Sequence, residues 1–140
     1  MKPRKTIAIL MFVMILCSPY TLAFKSVYST PIAIQPYWAN VHSVTVGLSF
    51  TGTTANCAAR VQGHVGTTKI VADVILELWV GTNSYITIKT WNNIIVYGST
   101  LTFSGVHNVA RGFTYRLTIN ADVTRNGTTE SVSNWIVRGV

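Results

Sequence analysis

The sequence predicts an all-β fold: an antiparallel β-sandwich of about seven strands, loosely immunoglobulin- or fibronectin-like, preceded by a cleaved signal peptide. Three observations predict it. Apolar and polar residues alternate strictly through a series of short segments, turn-forming residues separate those segments at spacings of roughly 8 to 12 residues, and no helical period occurs after residue 23. The Cys and Trp pattern of true immunoglobulin domains is absent, so the likeness is one of architecture only.

The chain starts with a targeting pattern. Lys2, Arg4 and Lys5 precede an almost wholly apolar run from Thr6 to Cys17, which Ser18, Pro19 and Tyr20 break. The run is about ten to twelve residues, short of the roughly 20 that a membrane-spanning helix needs. Ala23 offers the small residue expected at a cleavage site, so residues 1–23 read as a signal peptide. Leu16 precedes Cys17 where a lipid-attachment site needs a small residue, which argues against a lipid anchor. The expected product is secreted and extracellular, with no membrane span after cleavage.

Cleavage changes the charge that matters. Of the 11 Lys and Arg residues three lie before Ala23, leaving eight against four acids, a net charge of +4 on 117 residues. The remaining cations are scattered singly, so no polybasic patch for nucleic acid is expected. Cys57 is left as the single cysteine, which rules out an intramolecular disulfide and leaves the core to stabilise one domain.

Residues 24–40 contain Pro31 and Pro36 and read as an extended lead-in, closed by Tyr37 and Trp38 as a cap on the core. The β-sandwich domain is expected over 41–140. Its first strand, Val44 to Phe50, alternates Val44, Val46, Leu48 and Phe50 with small and polar residues. The second, Ala55 to Gln62, puts Ala55, Cys57, Ala59 and Val61 on one face, with Cys57 acting as a small buried hydrophobe. In the third, Ile70 to Val80, Ile70, Ala72, Val74, Leu76, Leu78 and Val80 face one way, while Val71, Asp73, Ile75, Glu77 and Trp79 face the other.

Gly81 to Ser84 has hairpin chemistry, and Tyr85 to Trp91 resumes alternation, with Tyr85, Thr87, Lys89 and Trp91 sharing a face. Asn92-Asn93 reads as a break and Ile94 to Phe103 as a less regular strand. Gly105 to Gly112 reads as the longest irregular connection, hence a place for function, with His107 and Arg111 as its candidate side chains. Phe113 to Val123 alternates cleanly. Asn126-Gly127 is a strong type I′ hairpin signal, because both residues tolerate positive φ. An ideal two-residue turn there sets Val123 opposite Glu130 and Ala121 opposite Val132, and makes Thr128 to Val137 an edge strand.

Trp38-Ala39-Asn40, Ser43 to Val46, Cys57-Ala58-Ala59, Gly66 to Ile70, Lys89-Thr90-Trp91, Tyr115 to Thr118 and Asn126 to Glu130 resemble a family of small exported proteins of Gram-positive bacteria, a domain of unknown function. The resemblance covers most of the chain after Ala23. It implies bacterial export and an all-β domain, and supplies no catalytic residue.

Catalytic and metal chemistry find little support. Asp73 and Glu77 share a face but stand roughly 13 Å apart along a strand, wider than the carboxylate pairs of glycosidases. His42, His64 and His107 show no ligand spacing. No phosphate loop or serine-hydrolase elbow occurs, so no catalytic residue, metal or cofactor is assigned and the chain is not expected to be an enzyme.

The aromatics point elsewhere. Trp79, Tyr85 and Trp91 are expected opposite the main apolar face, where exposed rings can stack on sugars or anchor an interface. The expected function is a non-enzymatic extracellular or cell-surface binding or adhesion module for a glycan or a surface protein, with Trp79, Tyr85, Trp91, His107 and Arg111 as binding residues. A membrane-active or antibacterial effector and a structural component of a surface layer are the alternatives.

Overall fold

The structure, a computed structural model, describes residues 37–140. The predicted signal peptide and most of the predicted lead-in therefore lie outside the described residues. Seven strands follow in order: β1 (Val41–Thr51), β2 (Thr54–Gly63), β3 (Thr67–Gly81), β4 (Ser84–Val96), β5 (Thr100–Asn108), β6 (Thr114–Arg125) and β7 (Thr128–Gly139). Every pairing is antiparallel, and the strands form two sheets ordered β1-β2-β5 and β4-β3-β6-β7. Lettered A, B, C, C′, E, F and G, these are sheets ABE and C′CFG. That is the immunoglobulin constant-type arrangement with its fourth strand paired to C instead of E.

The alternation read from the sequence becomes the core. Ala55, Cys57, Ala59 and Val61 of β2 face Ile70, Ala72, Val74 and Leu76 of β3 and Leu117, Ile119, Ala121 and Val123 of β6, all buried. Burial pushes the Cys57 thiol up to about 11. Tyr115, near the start of β6, is buried, and its hydroxyl donates to Ala110 O (2.9 Å) and accepts from Ala110 N–H (3.1 Å). This is the tyrosine corner of immunoglobulin-like strand F, and it ties the β5–β6 connection to the core.

The last hairpin has the predicted register, with Val123 opposite Glu130 and Ala121 opposite Val132, and positive φ at Asn126 and Gly127. At the same end the chain enters the domain. Glu130 accepts from Ala39 N–H (3.0 Å) and Asn40 N–H (2.7 Å), while the buried Asn40 amide donates to Val123 O and Thr128 O. Of the predicted aromatic cap, Trp38 packs against the core and Tyr37 is exposed.

Two expectations need correction. Asn92-Asn93 does not break the chain: β4 continues to Val96, and the pair forms a bulge with Asn93 at positive φ (54°), whose N–H donates to Asp73 Oδ1 at 2.7 Å. Nor is Gly105 to Gly112 one loop. The ladder with β2 continues through Asn108, so the connection shrinks to residues 109–113. Gly105 is inside a strand because a Cβ there would meet Phe103 Cζ at 2.6 Å and the Trp91 indole at 3.1 Å. Close packing, not a turn, requires this glycine.

Candidate functional site

The outer face of the β4-β3-β6-β7 sheet carries the candidate site. β3 directs Val71, Asp73, Ile75, Glu77 and Trp79 outward, because Ile70, Ala72, Val74 and Leu76 are committed to the core. The two-residue turn at Thr82-Asn83, with φ of 49° and 58°, pairs Gly81 with Ser84, and a bulge at Val80 then sets Tyr85 directly across from Trp79 and leaves Val80, expected on the inner face, exposed. Cross-strand pairing then orders the face in rows: Thr87, Glu77, Arg116 and Val137; Thr90, Ile75, Thr118 and Trp135; Ile95, Val71, Asp122 and Ser131.

One end of this face is aromatic. Trp79 is 45% exposed and Trp135 61%. Between them Arg116 lies flat on Tyr85, its guanidinium carbon 3.8 Å from the ring centre, and donates to both carboxylate oxygens of Glu77 at 2.7 and 3.0 Å. The bond to Glu77 raises the guanidinium further above its ordinary value. Glu77 is thereby neutralised and both planar groups are held in place.

The other end is polar. Asp73, Asn120, Asp122, Ser131 and Ser133 line a shallow depression. Ser131 donates to Asp122 (2.6 Å) and Ser133 to Asn120 (2.8 Å), which fixes these side chains relative to one another. Together the two ends offer flat rings beside fixed hydrogen-bonding groups.

The predicted residues divide. Trp79 and Tyr85 meet on the outer face as expected. Trp91 does not join them. A bulge places Lys89 opposite Leu76 and Thr87 opposite Glu77, which shifts the phase of β4 by one residue and turns Trp91 inward, opposite Val74. There its indole packs on Phe103, with ring centroids 5.1 Å apart, over Gly105. His107 lies in β5 opposite Ala55, on the inward side of the other sheet, and Arg111 is exposed in the β5–β6 connection near the Thr51–Thr54 turn. Neither touches the aromatic face.

Trp135, Arg116 and the polar depression were missed. The Asn126-Gly127 register would have found Trp135, since counting back from it sets Trp135 opposite the outward-facing Thr118. His42 and His64, far apart in sequence, bring their rings edge to face at 5.6 Å. Among the described residues no three His, Cys, Asp or Glu converge as a metal site would need.

No family model matches the chain, and no curated protein does. Solved structures similar to it include the sporulation control protein Spo0M from Bacillus subtilis, with a TM-score of 0.45 and 15% identity over 74% of this chain and 51% of Spo0M. The chain thus spans about half the length of Spo0M. A superoxide reductase in its oxidised state matches with a TM-score of 0.44 and 14% identity, over 74% of this chain and 92% of that one. CsgH of R. palustris matches with a TM-score of 0.37 and 12% identity, over 65% and 88%. These likenesses carry no functional argument.

Proposed function

We propose that this chain is an exported, non-enzymatic binding module that takes an extracellular glycan on the outer face of its β4-β3-β6-β7 sheet. The observation that carries the reading is the pairing of two exposed rings on one face, Trp79, with the half-buried Tyr85 across from it, and Trp135, with the polar depression of Asp73, Asn120 and Asp122. Pyranose rings present flat C–H faces that stack on aromatics and hydroxyls that pair with amides and carboxylates. A flat sheet face suits an extended chain of such units. Export is supported by the Lys2 to Ala23 pattern and by the Gram-positive family resemblance.

The test is retention on insoluble cell-wall polysaccharide. Wild-type protein is expected to be retained, and a Trp79→Ala/Tyr85→Ala/Trp135→Ala variant of unchanged circular dichroism is expected to flow through. Equal retention of the two would remove the reading. Retention by surface-protein extracts and not by polysaccharide would assign the same face to a protein partner.

A further inference from the structure

Among the described residues the two sheets end in four edge strands, β1, β5, β4 and β7, and three of these are guarded. Strand β4 is interrupted by bulges at Ile88 and at Asn92-Asn93 and carries Lys89. Strands β1 and β7 close on each other, since the Asn134 amide of β7 donates to Val44 O of β1 at 2.9 Å, and β7 also carries Glu130 and Arg138. Bulges, charges and cover are the devices that keep an edge from pairing with another chain.

Strand β5 has none of them. It runs from Thr100 to Asn108 without a charged residue or a proline. Its ladder with β2 is unbroken from Thr54 opposite Asn108 to Gln62 opposite Thr100, so the strand is regular as well as uncharged. It ends the β1-β2-β5 sheet, and among the described residues no strand pairs with its outer side. Alternate residues there point N–H and C=O groups outward, and such a row of donors and acceptors is matched by another extended strand.

The residues of β5 identify that strand. Set antiparallel against itself about Ser104, the midpoint of its nine residues, β5 pairs along its whole length. On the outer face Thr102 then stands opposite Val106 of the other copy, a pair of β-branched residues, and Val106 is 63% exposed in one copy alone. On the inner face Phe103 stands opposite Gly105, so each ring meets a residue with no side chain, a pairing that pins register. No like charges meet anywhere along the pair.

We infer that the outer edge of β5 is a homodimer interface. It pairs antiparallel with β5 of a second copy about a two-fold axis at Ser104, and joins two three-stranded sheets into one of six strands. The axis stands perpendicular to the joined sheet, so the outer faces of both β4-β3-β6-β7 sheets look the same way. Two faces so arranged can hold one polysaccharide together and raise retention by avidity, although the pairing itself does not depend on the glycan reading.

Sedimentation equilibrium of the full 140-residue chain, kept reduced, tests the interface. Wild-type protein is expected to approach twice the monomer mass as its concentration rises. Ser104 is exposed, so replacing it leaves the core untouched. Ser104→Lys and Ser104→Asp are each expected to weaken dimerisation about fivefold, because each sets like charges directly opposite across the axis. An equimolar mixture of the two is expected to dimerise at least as well as wild type, since Lys then faces Asp. Amide exchange is expected to slow in β5 on dimerisation and to stay unchanged in β4. Three results would each overturn the inference: a wild type that stays monomeric up to its solubility limit, undiminished association of both Ser104 variants, which would place the contact in residues 1–23 or on another face, and a mixture that associates no better than its components.

Discussion

The guanidinium carbon of Arg116 sits 3.8 Å from the centre of the Tyr85 ring while its nitrogens grip both oxygens of Glu77. Three strands meet in this contact: Tyr85 comes from β4, Glu77 from β3 and Arg116 from β6. A flexible arginine is thereby made a fixed, flat part of the surface next to Trp79. Arg116→Met is expected to cost about 1 kcal/mol in urea unfolding. Arg116→Lys is expected to recover little of it, because an ammonium cannot lie flat on Tyr85 and bond both carboxylate oxygens. Glycan retention should fall in both variants as Tyr85 loses its support.

Trp91 belongs to the core and not to the binding face. Gly105→Ala drives a methyl into Phe103 and Trp91, and is expected to destabilise by about 1–3 kcal/mol, read as a lower urea midpoint. Trp91→Ala is expected to cost about 2 kcal/mol or more through the void left against Phe103. A folded Trp91→Phe variant should retain glycan like the wild type, which separates this residue from Trp79 and Tyr85.

The corner where the chain enters the domain rests on Asn40 and Glu130. Asn40→Ala leaves the carbonyls of Val123 and Thr128 without their amide donor, and is expected to cost about 1–3 kcal/mol. Glu130→Ala removes the acceptor of two backbone N–H groups. It should raise amide exchange at Ala39 and Asn40 selectively, with the β3–β6 ladder unchanged.

Cys57 gives the fold an alkaline limit. Its pKa is pushed from 9.0 to about 11 by burial, so between those values the unfolded chain releases a proton that the folded chain keeps. The contribution is fully present below pH 9 and is lost as pH rises towards 11. Unfolding free energy of the wild type should therefore fall more steeply across pH 9 to 11 than that of Cys57→Ala. Parallel curves for the two proteins would show that the thiol is not the cause.

Most of the fold was legible because inward and outward residues alternate through β2 and β6 and through β3 as far as Trp79, and the inner faces of these strands make the bulk of the core; only Val80, at a bulge, departs from the reading. The final hairpin was legible down to its register, since Asn126-Gly127 permits one tight turn. Strand β4 was not. Two bulges, at Ile88 and at Asn92-Asn93, each add a residue that a period of two cannot anticipate, and the first reversed the reading of Trp91. Gly105 was taken for a loop residue because glycine for a turn and glycine for a close approach look the same in sequence. In the candidate site, the hairpin between Trp79 and Tyr85 was legible, but their direct pairing depends on the bulge at Val80. Their connection to Arg116 and Trp135 depends on strands brought together from 30 to 60 residues away, which a local pattern does not record.

The four tryptophan indole N–H signals offer the most direct measurement of the central claim. In a titration of labelled protein with soluble oligosaccharides released from cell-wall polysaccharide, followed by two-dimensional NMR, Trp79 and Trp135 are expected to shift together and saturably. Trp38 and Trp91, packed against the core, are expected to stay in place. Four unmoved signals, or shifts confined to Trp38 and Trp91, would contradict a glycan site on this face.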